Sequence, residues 1–174
     1  SSSNNENEES SGGGGDTAEQ QSDEEAALSE ETKEDKDFLD FFERYQTIVF
    51  NLFNLTSIEP SAFDFFRNIR SIDLSHNRLK ALDPTLLNAS DNLRDLNLNY
   101  NQFTSIDKGW FEGARTIERF AIDHNNLVDI GADSLDYLER LKLFQAIDNR
   151  IEKLDVKLFS KNTYLEVVSF ELNR

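Results

Sequence analysis

The sequence predicts an α/β repeat fold, a right-handed solenoid whose concave side is one parallel β-sheet of about six strands. Three observations predict it. An Asn recurs at Asn77, Asn101, Asn125, Asn149 and Asn173, each 24 residues after the last. A fixed apolar frame begins eight residues before each Asn: Ile69, Ile72, Leu74; Leu93, Leu96, Leu98; Ile117, Phe120, Ile122; Leu141, Phe144, Ala146; Leu165, Val168, Phe170. A second apolar column, Phe63, Leu87, Phe111, Leu135 and Phe159, keeps the same spacing through the other half of the unit. Such a register is that of stacked copies, each burying an apolar face against the next.

Taken in chain order, residues 1–36 carry 12 acidic and 2 basic side chains, a net charge of −10 out of the −16 of the whole chain. They contain no aromatic residue and no apolar one bulkier than Leu28. With nothing to bury, this leader cannot offset the entropy of ordering, and disorder is expected. Its charge reads first as solvation, and secondarily as a tail for a basic partner. Residues 37–44 hold Phe38, Leu39, Phe41 and Phe42 at helical spacing, which predicts a short cap helix lying across Tyr45 and Ile48. All 14 Phe, all 4 Tyr and the Trp follow residue 36, so the core is confined to the remainder.

Repeat units begin at residues 45, 69, 93, 117, 141 and 165. Within each, alternation makes a short strand with one apolar face, and equal spacing stacks the strands in parallel. The frame continues beyond the Asn with Leu55 and Ile58, Leu79 and Leu82, Phe103 and Ile106, Leu127 and Ile130, Ile151 and Leu154. Each Asn is expected to bond main-chain groups at the bend after its strand, as a ladder along the solenoid. In the first unit Phe53 stands where Asn is expected, so that bend must be made differently, with help from Asn54. The sixth unit stops at Arg174 before its convex half, so further chain or a partner is expected over that end.

These segments resemble the leucine-rich-repeat family. Its L-x-x-L-x-L-x-x-N-x-L core is matched by Ile69 to Leu79, Leu93 to Phe103, Ile117 to Leu127, Leu141 to Ile151 with Ala146 substituting, and, cut short, Leu165 to Asn173. The 24-residue unit with Phe in its second half, as in Ser61-Ala62-Phe63 and Gly109-Trp110-Phe111, is similar to the typical extracellular class, and to invertebrate immune and receptor ectodomains within it. The resemblance implies a secreted or cell-surface protein, with a cytoplasmic location as the second reading. It also implies a partner site on the concave face.

Positions between the frame residues point outward on that face. Asp73, Asp95, Asn97, Asn99, Tyr100, Arg119 and Asp123 make a polar middle field, while Leu143, Ile147 and Val167, with Gln145 among them, make the late units apolar. An apolar stripe beside a polar field is what a protein-binding surface presents. Asp95 and Arg119 share a column on adjacent strands about 5 Å apart, which predicts an ion pair. His76 and His124 share another column two units apart, about 10 Å, too far for one metal ion, and read as ordinary surface residues.

Other classes are disfavoured. Zero Cys excludes disulfides, thiolate metal sites and a Cys nucleophile. No phosphate loop, Ser elbow or H-E-x-x-H motif appears, so neither catalysis, cofactor nor metal is expected. A charge of −16 without a basic stripe argues against nucleic acid. No apolar run approaches the ~20 residues that cross a bilayer, and the chain starts at Ser1 without an apolar signal region, so its natural ends are expected to lie elsewhere. Asn54-Leu55-Thr56 and Asn88-Ala89-Ser90 match the N-glycosylation sequon. The expected function is non-enzymatic binding of a protein partner. The alternative is an assembly subunit, a homodimer formed through the apolar stripe and the open last unit.

Overall fold

The protein is described from a computed structural model over residues 45–173. The expected leader and cap helix lie outside these residues. Six strands follow one another: β1 (Thr47–Val49), β2 (Ser71–Asp73), β3 (Asp95–Asn97), β4 (Arg119–Ala121), β5 (Leu143–Gln145) and β6 (Val167–Ser169). They form one parallel sheet in sequential order, every residue paired with the one 24 positions on. Sequential order follows from the period, because each return segment has only enough chain to reach the adjacent strand. Among the described residues the returns are turns, with one 3-10 helix over Lys108–Phe111, where the Asp107 side chain accepts from the Gly109 N–H.

The middle residue of each strand points inward. Ile48, Ile72, Leu96, Phe120 and Phe144 are buried, flanked by the frame on either side and by the second column from the return segments. Aromatic rings run on through this core, with centroids 5.2 Å apart for Phe111 and Phe120, 5.6 Å for Phe120 and Phe144 and 5.7 Å for Phe144 and Phe170. Edge-on contacts such as the first and last of these add about 0.5–1.5 kcal/mol each to the burial itself. The frame weakens toward the ends. Leu154 and Val168, expected inside, are exposed, and Leu165 and Phe170 are only partly covered, because no described unit stacks beyond β6.

The Asn ladder closes each bend. The Asn101 amide donates to the carbonyls of Leu74, Leu98 and Asn99 at 2.9, 3.1 and 3.3 Å, and its Oδ1 accepts the Leu79 N–H at 3.0 Å. Asn77, Asn125, Asn149 and Asn173 repeat the pattern, each bonding a carbonyl 27 residues back and an N–H 22 residues back. The residue before each Asn takes a left-handed backbone: His76, Tyr100, His124, Asp148 and Leu172 have φ between 51° and 59°. The first bend is the expected exception. Leu52 keeps the left-handed turn, Asn54 adds a second positive φ, and the Phe50 carbonyl and Leu55 N–H bond Asn77 of the next unit just as each later bend bonds the Asn that follows it.

Replacing Asn101 by Ala strands buried backbone groups in two units at once. At about 1–3 kcal/mol for each unsatisfied group, the expected loss is about 3–5 kcal/mol. Urea unfolding measures it, and a loss below about 1 kcal/mol would show that water replaces the ladder.

Candidate functional site

With the frame turned inward, the flanking strand positions make the concave surface. Its centre is the Asp95–Arg119 pair: Arg119 Nη2 donates to Asp95 Oδ2 at 2.7 Å, and Nε lies against Oδ1. The pair forms because β3 and β4 align residues 95 and 119 as direct partners, as expected. Arg119 remains exposed, so the pair fixes geometry more than it adds stability.

Several of the polar residues expected to face a partner also hold backbone. Asp73 Oδ1 accepts from the Ser75 N–H at 2.9 Å, and Asn97 Oδ1 from the Asn99 N–H at 3.0 Å. Asn99 Oδ1 accepts from the Asp123 N–H at 2.6 Å, and Asp123 Oδ1 from the Ile147 N–H at 2.7 Å. These last two link neighbouring units as a second, shorter ladder. Asp123 departs furthest from expectation, being 8% exposed instead of open. It lies two residues before a ladder Asn, where the bend tucks the side chain beneath the next unit's backbone. Burial pushes its carboxyl above the ordinary value, opposed by the Ile147 N–H.

The late units differ as expected in chemistry. Leu143, Gln145 and Ile147 are half-buried and Val167 is exposed. Leu172 beyond them is exposed too. On the strand-exit rim, His76, Tyr100 and His124 stack as parallel rings, with centroids 4.2 and 4.1 Å apart and planes within 9° and 12°. His124 Nδ1 lies 2.7 Å from Asp148 Oδ2. Reading the two His residues as isolated surface positions missed this stack. Its signal was an aromatic ring at one position in three consecutive units. On the strand-entry rim Lys142 bonds Glu118 at 2.7 Å and Arg94 approaches it at 3.8 Å, and the Lys142 bond in particular holds the Glu118 carboxyl below its ordinary range.

Both sequon Asn residues are exposed, Asn54 on the first bend and Asn88 in a hollow of about 380 Å³ with Asp64, Arg67 and Asp91. The Asn88 backbone packs so closely on Gly113 that a Cβ there would lie 2.4 Å from the Asn88 Cα. Among the described residues, no group of three or more His, Cys, Asp or Glu side chains is placed to hold a metal ion. Among them too, no helix is long and apolar enough to cross a membrane.

Residues 46–103 and 91–146 match the sequence profile of the leucine rich repeat, together more than half of the chain. The chain belongs to the leucine-rich-repeat family. Comparison with curated protein sequences gives no match. Among solved structures, this leucine-rich-repeat chain is similar to one from the Toll–Spatzle complex, described as a molecular hub in Drosophila development and innate immunity. The TM-score is 0.67 at 26% identity, over 70% of this chain and 16% of that one. It also shares its fold with the leucine-rich repeat domain of APL1B, with a TM-score of 0.66 at 21% identity, over 79% of this chain and 41% of that one. The chain therefore spans well under half the length of each.

Asp123 gives the face a signed pH dependence. Its folded carboxyl holds a proton to higher pH than the ordinary value of 3.8. As pH rises through that window the unfolded chain loses its proton first, so the contribution of Asp123 to stability falls and stays lowered above it. Asp123→Asn keeps an acceptor for the Ile147 N–H and removes the charge. Its urea midpoint is expected to rise at neutral pH, with the gain vanishing below about pH 3.8; an equal gain at both would discount the burial of this charge.

Proposed function

We propose that this leucine-rich-repeat chain is a non-enzymatic binding module that recruits a protein partner through its concave face, without cofactor or metal. The observation that carries the reading is the division of labour across the sheet. The core and the Asn ladder use one set of side chains, while the side chains of Tyr100, Arg119, Leu143, Gln145, Ile147 and Val167 belong to neither. Large aromatic and Arg side chains beside aliphatic ones are the composition of protein interfaces. The likeness to a chain of the Toll–Spatzle complex supports a protein partner.

The same likeness supports a secreted or cell-surface location, in which Asn54 and Asn88 would carry glycans. Asn88 lies in a return segment, so a glycan there leaves the late concave face open. A second reading is favoured by exposed apolar side chains in the last two units, Leu154 and Val156 (98% exposed) in the fifth and Val167 and Leu172 in the sixth. In that reading two copies associate through these apolar side chains.

Affinity capture with the chain as bait tests the first reading. Changing both Leu143 and Ile147 to Asp is expected to lower partner recovery tenfold or more, since each buries about 2 kcal/mol of contact in a hot spot. Unchanged recovery would move the site to the polar field or the convex side. Light scattering over a range of concentrations tests the second reading, in which the mass doubles and the Leu143 and Ile147 variant stays single. For glycosylation, protein from a secretory host is expected to lose mass on enzymatic removal of N-glycans, in two steps reduced to one by Asn88→Gln. No mass loss would sink it.

A further inference from the structure

The left-handed bend before each ladder Asn is met at least cost by Gly or Asn. Three consecutive units place rings there instead, His76, Tyr100 and His124, at φ of 56°, 56° and 52°. None belongs to the apolar core, and Tyr100 is 45% exposed. The fold therefore does not require the stack. Stacking holds the rings edge-outward along the rim, with their rotamer freedom already spent, which is the preorganisation that lets an exposed aromatic dominate an interface.

The surrounding charge selects a partner. Outward positions of the strands and bends hold Asp73, Asp95, Asp123, Asp148 and Glu171 against the single Arg119. Arg119 occupies Asp95 and Asp123 is buried, which leaves Asp148 and Glu171 exposed and Asp73 half-buried. Asp148 touches His124, and Arg150 and Asn126 line the same shallow hollow. Arg78, two residues past His76, is exposed at the register position that Arg150 holds three units on.

We propose that the His76–Tyr100–His124 strip is an acid-sensitive contact for a protein segment bearing basic side chains, a refinement that rests on the concave-face reading. At neutral pH the carboxylates attract such a segment and the Tyr100 hydroxyl and the imidazole edges offer hydrogen bonds. Protonation of the two imidazoles places positive charge on the strip that repels the basic segment, and a protonated His124 engages Asp148 more tightly, withdrawing that carboxylate from the partner. Charged rings on both faces of Tyr100 are held by cation–π attraction, so the strip keeps its shape and release is electrostatic.

Fluorescence anisotropy of a labelled arginine-rich peptide and a glutamate-rich one of equal length, titrated with the full chain at about pH 7.5 and about pH 5.5, tests the proposal. The arginine-rich peptide is expected to bind at the higher pH and to weaken about tenfold at the lower. His76→Gln with His124→Gln weakens binding at the higher pH, because the ring stack is lost, and removes most of the difference between the two pH values, and Tyr100→Ala weakens binding at both. Equal affinity at the two pH values, or a pH dependence retained by the double Gln variant, overturns the acid-sensitive strip. Preference for the glutamate-rich peptide overturns the basic partner. Arginine-rich binding untouched by Tyr100→Ala and Asp148→Asn places the contact elsewhere, the acidic leader included, and overturns the strip. Partner capture by the Leu143 and Ile147 variant reports separately on the concave-face reading. Thermal melts of every variant at both pH values, expected to match the parent, separate lost contact from lost fold.

Discussion

Everything in this molecule depends on one side-chain amide repeated every 24 residues. Strands of three residues are too short to make a stable sheet alone, and each ends in a bend that turns backbone groups toward the core. An Asn at the bend carries two donors and an acceptor, enough to satisfy its own turn and reach into the unit before it. Local closure and coupling between units are thus the same set of bonds. This explains why the period does not drift: one inserted residue would separate the amide from both the carbonyl 27 positions back and the N–H 22 positions back. It also explains why the first unit tolerates Phe53, since Asn77 serves the bend before it as well as its own.

The ladder sets what the surface can be. Because backbone groups at the bends are satisfied internally, neither the outward strand positions nor the rims have to supply them, and side chains there vary without cost to the frame. The liberty is incomplete. Asn99 and Asp123 run a second ladder beside the first, and that ladder ends where Ile147 replaces a polar side chain. At this point the concave face passes from polar to apolar. The secondary ladder thus ends in the same unit in which a second column turns apolar, where Leu143 follows Arg119 and Val167 follows Leu143.

The frame was legible in the sequence because burial of an apolar face demands a strict period, and Ile72, Leu96, Phe120 and Phe144 lie where that period puts them. The Asp95–Arg119 pair was legible for the same reason, since equal spacing makes them neighbours. What escaped depends on depth and not on direction. Alternation gives the side to which Asp123 points, but the bend after β4 decides that it is covered, and no pattern of residue types records the curvature of a bend. Leu154 and Val168 escaped at the other extreme: the period marks them as core, yet a frame residue is buried only when a neighbouring unit stacks on it. The ring stack was hidden because the two His residues were weighed against each other across two units, without the Tyr100 that lies between them.

That omission points to the unit in which such a surface has to be read. Parallel register brings residue i over residue i+24, at a spacing where like charges repel, opposite charges pair and flat rings stack. Arg119 over Asp95, Lys142 over Glu118 and His124 beside Asp148 each join residues 24 apart. The His76, Tyr100 and His124 rings do the same by stacking. A side chain on this face is therefore never an isolated contact, because its orientation is set by the column it belongs to. Changing one member changes what its neighbours present. A partner that reads this surface reads columns, and specificity resides in the order of residue types along each column more than in the identity of any one of them.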